Sequence, residues 1–137
     1  MKRTTLLALT AFVAALAVSG ALAQSQRKAN VPFAFAVDQS SMEAGQYSIT
    51  EVSDRVLQIR NDATHATVTI IGLHEESVKS QNPRLVFRKY GDRYVLAEVW
   101  GSTTASGMEI PAGKLEQEQR AESPSAGGPA EVVVALR

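Results

Sequence analysis

The stretch over residues 84–100 limits the folds open to this chain more than any other. It reads Arg-Leu-Val-Phe-Arg-Lys-Tyr, then Gly91-Asp92, then Arg-Tyr-Val-Leu-Ala-Glu-Val-Trp. Two runs rich in β-branched and aromatic residues flank a Gly-Asp pair, a pattern that specifies an antiparallel hairpin. A type II′ turn centred on Gly91 and Asp92 sets Tyr90 against Arg93, Lys89 against Tyr94, Phe87 against Leu96 and Leu85 against Glu98. Alternation then places Leu85, Phe87, Lys89, Tyr94, Leu96, Glu98 and Trp100 on a core face. Arg84, Val86, Arg88, Tyr90, Arg93, Val95, Ala97 and Val99 take the other face, which its three arginines mark as the water side. One-sided burial of this kind is expected of antiparallel sheets.

The start of the chain predicts export. Lys2 and Arg3 precede an apolar run over 6–18, and Ala-Leu-Ala at 21–23 supplies the cleavage pattern of a secretory signal peptide, cut after Ala23. The run is shorter than the roughly 20 residues of a spanning helix, so no membrane span is expected after cleavage and the destination is the periplasm or the exterior. There is no cysteine among the 137 residues. Disulfides, thiol chemistry and cysteine-based metal sites are therefore excluded, and an exported domain must rest on apolar burial and strand pairing. The 14 Lys and Arg balance 14 Asp and Glu, and loss of Lys2 and Arg3 leaves a slightly acidic chain. Net charge thus points away from nucleic acid and from anionic membrane surfaces.

Residues 24–30 are polar and read as a loose leader. Residues 31–37 alternate large and small side chains as a first strand, with Pro32 indicating an edge or a strand start. Residues 38–45 are turn material with Met42 tucked toward the core. Strands over 46–51 and 55–61 follow, and a three-residue loop at 52–54 sets Ile49 against Leu57, Tyr47 against Ile59 and Glu51 against Arg55. A fourth strand over 66–73 loses its alternation at Ile70-Ile71, which predicts a bulge or cover on both sides. Residues 74–83 read as a long polar connection to the hairpin. After it, Met108 to Pro111 touch the core, and 114–122 form a mostly polar helix whose one large apolar residue, Leu115, gives it little to dock with. Residues 123–129 are a linker by composition and 131–136 a final strand able to cover an open sheet edge.

The fold expected is all-β, an antiparallel meander of about seven strands forming a small barrel or sandwich, with one short surface helix before the last strand. Its units are a signal peptide (1–23), a leader (24–30), a six-stranded core (31–101), a helix with linker (102–129) and a closing strand (130–137). An immunoglobulin-like sandwich lacks its Cys and Trp spacing here. For an outer-membrane barrel, several strands fall short of the 9 to 11 residues or so that span a bilayer.

Three segments together carry a resemblance: Asn-Val-Pro-Phe-Ala-Phe at 30–35, Met-Glu-Ala-Gly-Gln-Tyr-Ser-Ile at 42–49, and the hairpin from Leu85 to Trp100. The chain resembles a family of small, exported, uncharacterised bacterial proteins. In that family a Val-Pro-Phe-x-Phe strand precedes a Pro-Ala-Gly-x-Tyr turn, and a Leu-Val-Phe hairpin ends in Trp. Glu43 stands where the family usually has Pro. The resemblance implies export and a β-fold and brings no activity and no site residues with it.

Catalytic and metal patterns are absent from the sequence. His65 and His74 form neither an H-x-H nor an H-E-x-x-H spacing, and read as solvated loop histidines against a metal site completed by Glu75 or Glu76. No serine, Ser102 and Ser106 included, lies in a G-x-S-x-G elbow, and no P-loop or dinucleotide fingerprint occurs. Asp38, Asp54, Asp62 and Asp92 sit at turns, where backbone chemistry favours them. Arg84, Arg88 and Arg93 with Tyr90 could bind an anion or a polysaccharide, against the plainer reading of a solvated strand face. Glu98, placed beside Leu85, Leu96 and Trp100, could be a carboxylate of raised pKa in a lumen, against a wet or cation-paired rim position.

The function expected is that of an exported, non-enzymatic β-domain without cofactor, a structural or interaction module whose partner is an envelope protein. The alternative is a binding protein for an apolar small molecule, with Phe33, Phe35, Phe87 and Trp100 enclosing a lumen and Tyr47, Tyr94, Glu98 and Trp100 as ligand residues.

Overall fold

The computed structural model describes residues 26–76, 82–101, 106–122 and 128–137. The expected signal peptide (1–23) and most of the expected linker (123–129) lie outside these residues, as do 24–25, 77–81 and 102–105. In chain order the elements are β1 (Gln26–Val31), β2 (Phe35–Val37), β3 (Ser40–Met42), β4 (Gly45–Ser53), β5 (Val56–Asn61) and β6 (Thr67–Ile71). They continue with β7 (Leu73–Glu76), β8 (Arg84–Tyr90), β9 (Arg93–Trp100), β10 (Ser106–Glu109), α1 (Lys114–Glu122) and β11 (Ala130–Ala135). The fold is mostly β. One antiparallel sheet runs β1-β4-β5-β6, and a second, curled into a half-barrel, runs β11-β8-β9-β10-β7.

The second sheet is mixed rather than a pure meander, because β2 joins β9 in parallel through Phe35↔Tyr94 and Ala36↔Val95. Pro32 is the reason. Lacking an N–H, it ends β1 after Val31, and the chain crosses to the other sheet before pairing resumes at Phe35. The expected single strand over 31–37 is thus two short ones in different sheets. The expected leader is strand from Gln26 onward, its residues paired with Gly45–Thr50 of β4. Polar composition misled there because only Ala29 and Val31 of β1 face the core.

The hairpin at Gly91 forms with the expected turn. Gly91 has φ +58° and Asp92 is not in the positive region, the sign pattern of type II′. Tyr90↔Arg93, Lys89↔Tyr94 and Phe87↔Leu96 pair as the turn dictates. Beyond Phe87 the register shifts by one residue. Val86 now opposes Glu98, Leu85 opposes Val99 and Arg84 opposes Trp100, with Ala97 bulged out of the ladder. The Ala97 carbonyl turns instead to accept the Ile110 N–H at 2.8 Å.

One extra residue inverts the faces that follow it. Val99 therefore joins the core cluster with Leu85, Phe87 and Leu96, while Glu98 and Trp100 move to the opposite side of the sheet. The expected pairing of Leu85 with Glu98, and the placing of Glu98 and Trp100 inside, are both corrected by this bulge.

The β4–β5 hairpin corrects a second register. Ile49 pairs Ile59 and Tyr47 pairs Asn61, with Ser53↔Val56 closing on Asp54 and Arg55 and a bulge at Val52. Parity is kept, so Tyr47, Ile49, Leu57 and Ile59 still point inward together. The expected Glu51–Arg55 pair does not form, since Glu51 opposes Leu57. In β6, Ile70 is buried and Ile71 is 74% exposed, so alternation holds to the end of the strand. The irregularity comes one residue later, at Gly72, where the chain leaves one sheet for the other and continues as β7 against β10. A Cβ at Gly72 would strike the Met108 side chain and sit 2.9 Å from Glu109 O, so only glycine passes this corner. The polar connection expected from residue 74 is strand through Glu76.

Between the sheets, Val31, Val37, Met42, Tyr47, Ile59, Leu85, Phe87 and Leu96 form one apolar core. Aromatic rings fill its centre. Phe35 meets Tyr47 and Phe87 edge-on at 5.2 Å each, and Phe33 meets Phe87 edge-on at 5.0 Å. At one side β1 and the chain end are tied by two backbone bonds, Lys28 N–H to Arg137 O at 2.9 Å and Arg137 N–H to Lys28 O at 2.8 Å.

Candidate functional site

Much of the outer face of the second sheet is covered, although Arg93 and Val133 on it stay exposed. Val86, Tyr90, Val95, Ala97 and Trp100 are all buried there, and α1 reaches this face at Arg88 and Tyr90. What brings a helix of Lys-Leu-Glu-Gln-Glu-Gln-Arg-Ala-Glu onto a sheet is a charge. Among its described side chains Glu116 alone is buried, 2% exposed, while Leu115 stays 43% exposed.

Glu116 Oε1 gathers three donors: Tyr90 Oη at 2.8 Å, Arg88 Nη1 at 3.0 Å and Arg120 Nη2 at 3.4 Å. Arg120 Nη2 also donates to Tyr90 Oη at 3.3 Å. Burial raises the Tyr90 hydroxyl above its usual pKa, with Arg120 opposing and Glu116 adding to the rise. A buried carboxylate held by two guanidinium groups and a phenol is compensated, and it anchors the helix where apolar contacts are lacking. The expectation that α1 has little with which to dock is corrected on this point.

Three more carboxylates share this face. Glu109 pairs directly with Glu98 across β10 and β9, and Glu75 lies beyond on β7. The carboxyl of Glu75 is raised from its usual pKa, first by a hydrogen bond with Glu109, then by burial and the charges of Glu109 and Glu98, with Arg88 opposing. Arg88 Nη2 stands 3.9 Å from Glu109 Oε1. Among the described residues no cluster of three or more such groups has the arrangement to hold a metal ion.

The candidate site is a groove of about 310 Å³ beside this cluster. Its walls are the α1 side chains of Leu115, Glu116 and Gln119, the β2–β3 hairpin from Ala34 to Ser41, and the start of β9 from Asp92 to Val95. Asp38 holds φ +52° at the tip of β2–β3 and lines the groove with Asp92 and Arg93. The floor is apolar, with Phe35, Tyr94 and Val95, and the rim is charged. Such a surface can hold a small apolar group and orient it by hydrogen bonds.

The four ligand residues read from the sequence are not brought together. Tyr47 is fully buried between the sheets, donates its hydroxyl to Glu43 O, and has its pKa raised chiefly by burial. Tyr94 lines the groove, stacked on Phe33 at 3.9 Å with Lys89 Nζ 5.5 Å from its ring centre. Glu98 and Trp100 are on the outer face but do not line the groove; there Trp100 Nε1 donates to Glu98 Oε2 at 2.7 Å and Arg84 lies 5.1 Å over the indole. Of the basic face, Arg88 and Tyr90 are engaged by Glu116 and Arg84 by Trp100, while Arg93 stays exposed at the groove, so the expected solvated surface is met only at Arg93. His65 takes φ +61° at its turn and its Nδ1 accepts from Arg60 Nη2 at 2.8 Å. His74 lies in β7 opposite Met108.

Glu116 was missed as a site residue. The one available signal was a Glu among polar neighbours facing a Tyr and an Arg spaced i, i+2 on a strand, and pairing across 26 residues cannot be read from spacing. Compared with protein-family models, with curated proteins and with solved structures, the chain matches none of them.

Proposed function

We propose that this chain is an exported, non-enzymatic β-domain that works as an interaction module of the periplasm or cell envelope. The observation that supports this most is the packed interior. Phe33, Phe35 and Phe87, three of the four residues expected to enclose a lumen, pack on one another and on Tyr47 instead, while the fourth, Trp100, lies on the outer face with Glu98, and small barrels filled in this way have no room for cargo. The interior reads as a packed barrel-like core, closed along one side by the Lys28–Arg137 bonds.

The test is a thermal-shift and heteronuclear NMR titration of the processed protein with fatty acids and other apolar ligands. No saturable shift of core methyl resonances is expected. A saturable change at Phe35, Tyr47 and Phe87 would replace this reading with that of a carrier. Export is tested separately, by periplasmic fractionation and N-terminal sequencing, with Gln24 expected first.

The second reading, binding of a small amphiphile, is favoured by one observation, the groove beside α1 with its apolar floor and charged rim. Shifts confined to Tyr94, Leu115 and Gln119 in the same titration would support it.

A further inference from the structure

The groove between α1 and the β2–β3 hairpin owes its depth to small side chains. Ala36 is level with Val95 across the parallel ladder, so the two share the outer face, and Ala34 follows them by alternation. Two alanines in that row leave a hollow where larger residues would have met the helix. Leu115 lines the hollow and is still 43% exposed. The one large apolar side chain of α1 thus offers free apolar surface to a guest.

The two ends of the groove differ in charge. Asp38 lies at one end, beside the start of α1, where a Cβ at Gly113 would stand 2.7 Å from Asp38 Oδ1. Arg93 lies at the other, where β9 begins. Among the described residues the ion pairs are Lys28–Asp62 and those of Arg88 and Arg120, so neither Asp38 nor Arg93 has one. Glu116 is taken up by Tyr90, Arg88 and Arg120. Asp92 adjoins Arg93, but Arg120, bonded to Tyr90 directly across the ladder from Arg93, offsets its charge. Phe35 is level with Tyr94, Asp38 is three residues beyond the first and Arg93 one before the second. The two charged residues therefore stand four strand steps apart, roughly 13 Å between backbones.

We propose that this groove binds a short peptide with free ends, about three residues long. Its ammonium meets Asp38, its carboxylate meets Arg93, and an apolar middle side chain lies over Ala36 and Val95 against Leu115. Length selects this class: an extended chain spans about 3.3 to 3.6 Å per residue, so three residues bridge the gap once the Asp38 and Arg93 side chains reach inward. A single amino acid carries both charges on one carbon and is too short to meet both. Ser40 and Gln119, on facing walls, supply hydrogen-bonding groups for the peptide amides. Both charged side chains are exposed, so each contributes modestly and binding is weak. The proposal rests on the reading of this groove as a site for a small amphiphile and names the class of that amphiphile.

An NMR titration of the full processed chain tests this with the tripeptide Ala-Val-Ala, its N-acetylated and C-amidated forms, free valine, and hexanol as an uncharged amphiphile. Saturable shifts at Val95, Leu115 and Gln119 are expected with the free tripeptide, and about fivefold weaker binding with either capped form or with valine. Asp38→Asn keeps a residue that tolerates φ +52°, and should abolish the preference for a free amine while sparing that for a free carboxylate. Arg93→Gln should do the reverse. Both positions are exposed, so both variants should keep the wild-type circular dichroism spectrum. Equal binding of free and capped peptides overturns the proposal, as does a terminus preference that survives its own variant. If hexanol shifts the same residues as strongly as the tripeptide does, the amphiphile reading stands and the peptide falls. If neither ligand shifts them, both fall.

Discussion

The hydroxyl of Tyr90 on strand β8 donates to Glu116 Oε1 of the only described helix at 2.8 Å. Arg88, two residues earlier on the same strand, reaches the same oxygen at 3.0 Å. One strand face thus supplies both a neutral and a charged donor to a single buried acceptor, and α1 is held by that acceptor more than by its apolar side chain.

Removing the acceptor leaves the part-buried Arg88 with only the longer contact to Glu109 and leaves the Tyr90 hydroxyl without its acceptor. Glu116→Ala is expected to cost about 3 kcal/mol in urea unfolding, in the range for breaking a buried pair. Tyr90→Phe removes one donor and should cost about 1 kcal/mol. Hydrogen exchange should show α1 losing protection before β8 does. Equal loss across both would mean that the helix is not separately anchored.

The carboxyl of Glu75 is raised in the folded chain by its bond to Glu109, so the folded state holds that proton more tightly than the unfolded chain. Its favourable contribution is complete below the unfolded value near 4.5 and disappears as pH rises through the raised value. Glu75→Gln should therefore stabilise the protein at pH 7, by about 0.5 kcal/mol for a largely exposed pair, with the gap closing toward pH 4. A gap that widens in acid would contradict the shared proton.

Asp62 has the opposite sign. Its carboxylate accepts from Ser48 Oγ at 2.5 Å and from Lys28 Nζ at 3.2 Å, and the Ser48 bond is the main cause of its lowered pKa. The stabilisation is present above the unfolded value of 3.8 and is lost as pH falls through the folded one. Asp62→Asn should flatten the acid limb of the stability profile and leave its neutral-to-alkaline shape unchanged.

Two glycines should respond differently to alanine. At Gly107 a Cβ would stand 2.6 Å from the Trp100 ring, and that ring is pinned by Glu98 and overlaid by Arg84. Gly107→Ala should cost about 2 to 3 kcal/mol and shift the tryptophan emission. At Gly91 nothing lies within 4 Å and only φ +58° resists, so Gly91→Ala should cost about 1 kcal/mol with unchanged fluorescence. Comparable losses at both sites would remove the steric account of Trp100.

What could be read from residues alone was local. Gly91 and Asp92 specify their turn through a backbone angle that glycine adopts freely, and the neighbouring pairs Tyr90–Arg93 and Phe87–Leu96 follow from it. The helix over 114–122 and the final strand are equally matters of nearby residues. Period-2 alternation found the inward set Tyr47, Ile49, Leu57 and Ile59 even where the register was off by two residues, because a shift of two preserves parity.

The tertiary structure decided the rest. Nothing in the run Leu-Ala-Glu-Val-Trp announces that Ala97 leaves the ladder to serve Ile110, the residue just after β10, yet that one bulge carries Glu98 and Trp100 to the opposite face and dissolves the ligand set that included them. The pairing of Arg88 and the burial of Tyr90 likewise wait on a carboxylate that arrives from α1, and the strand character of residues 26–30 waits on β4. In each case the determining contact joins segments far apart in the chain. Local propensity and periodicity describe what a segment can do by itself, whereas face, cover and partner are set by groups that meet only once the sheets have formed.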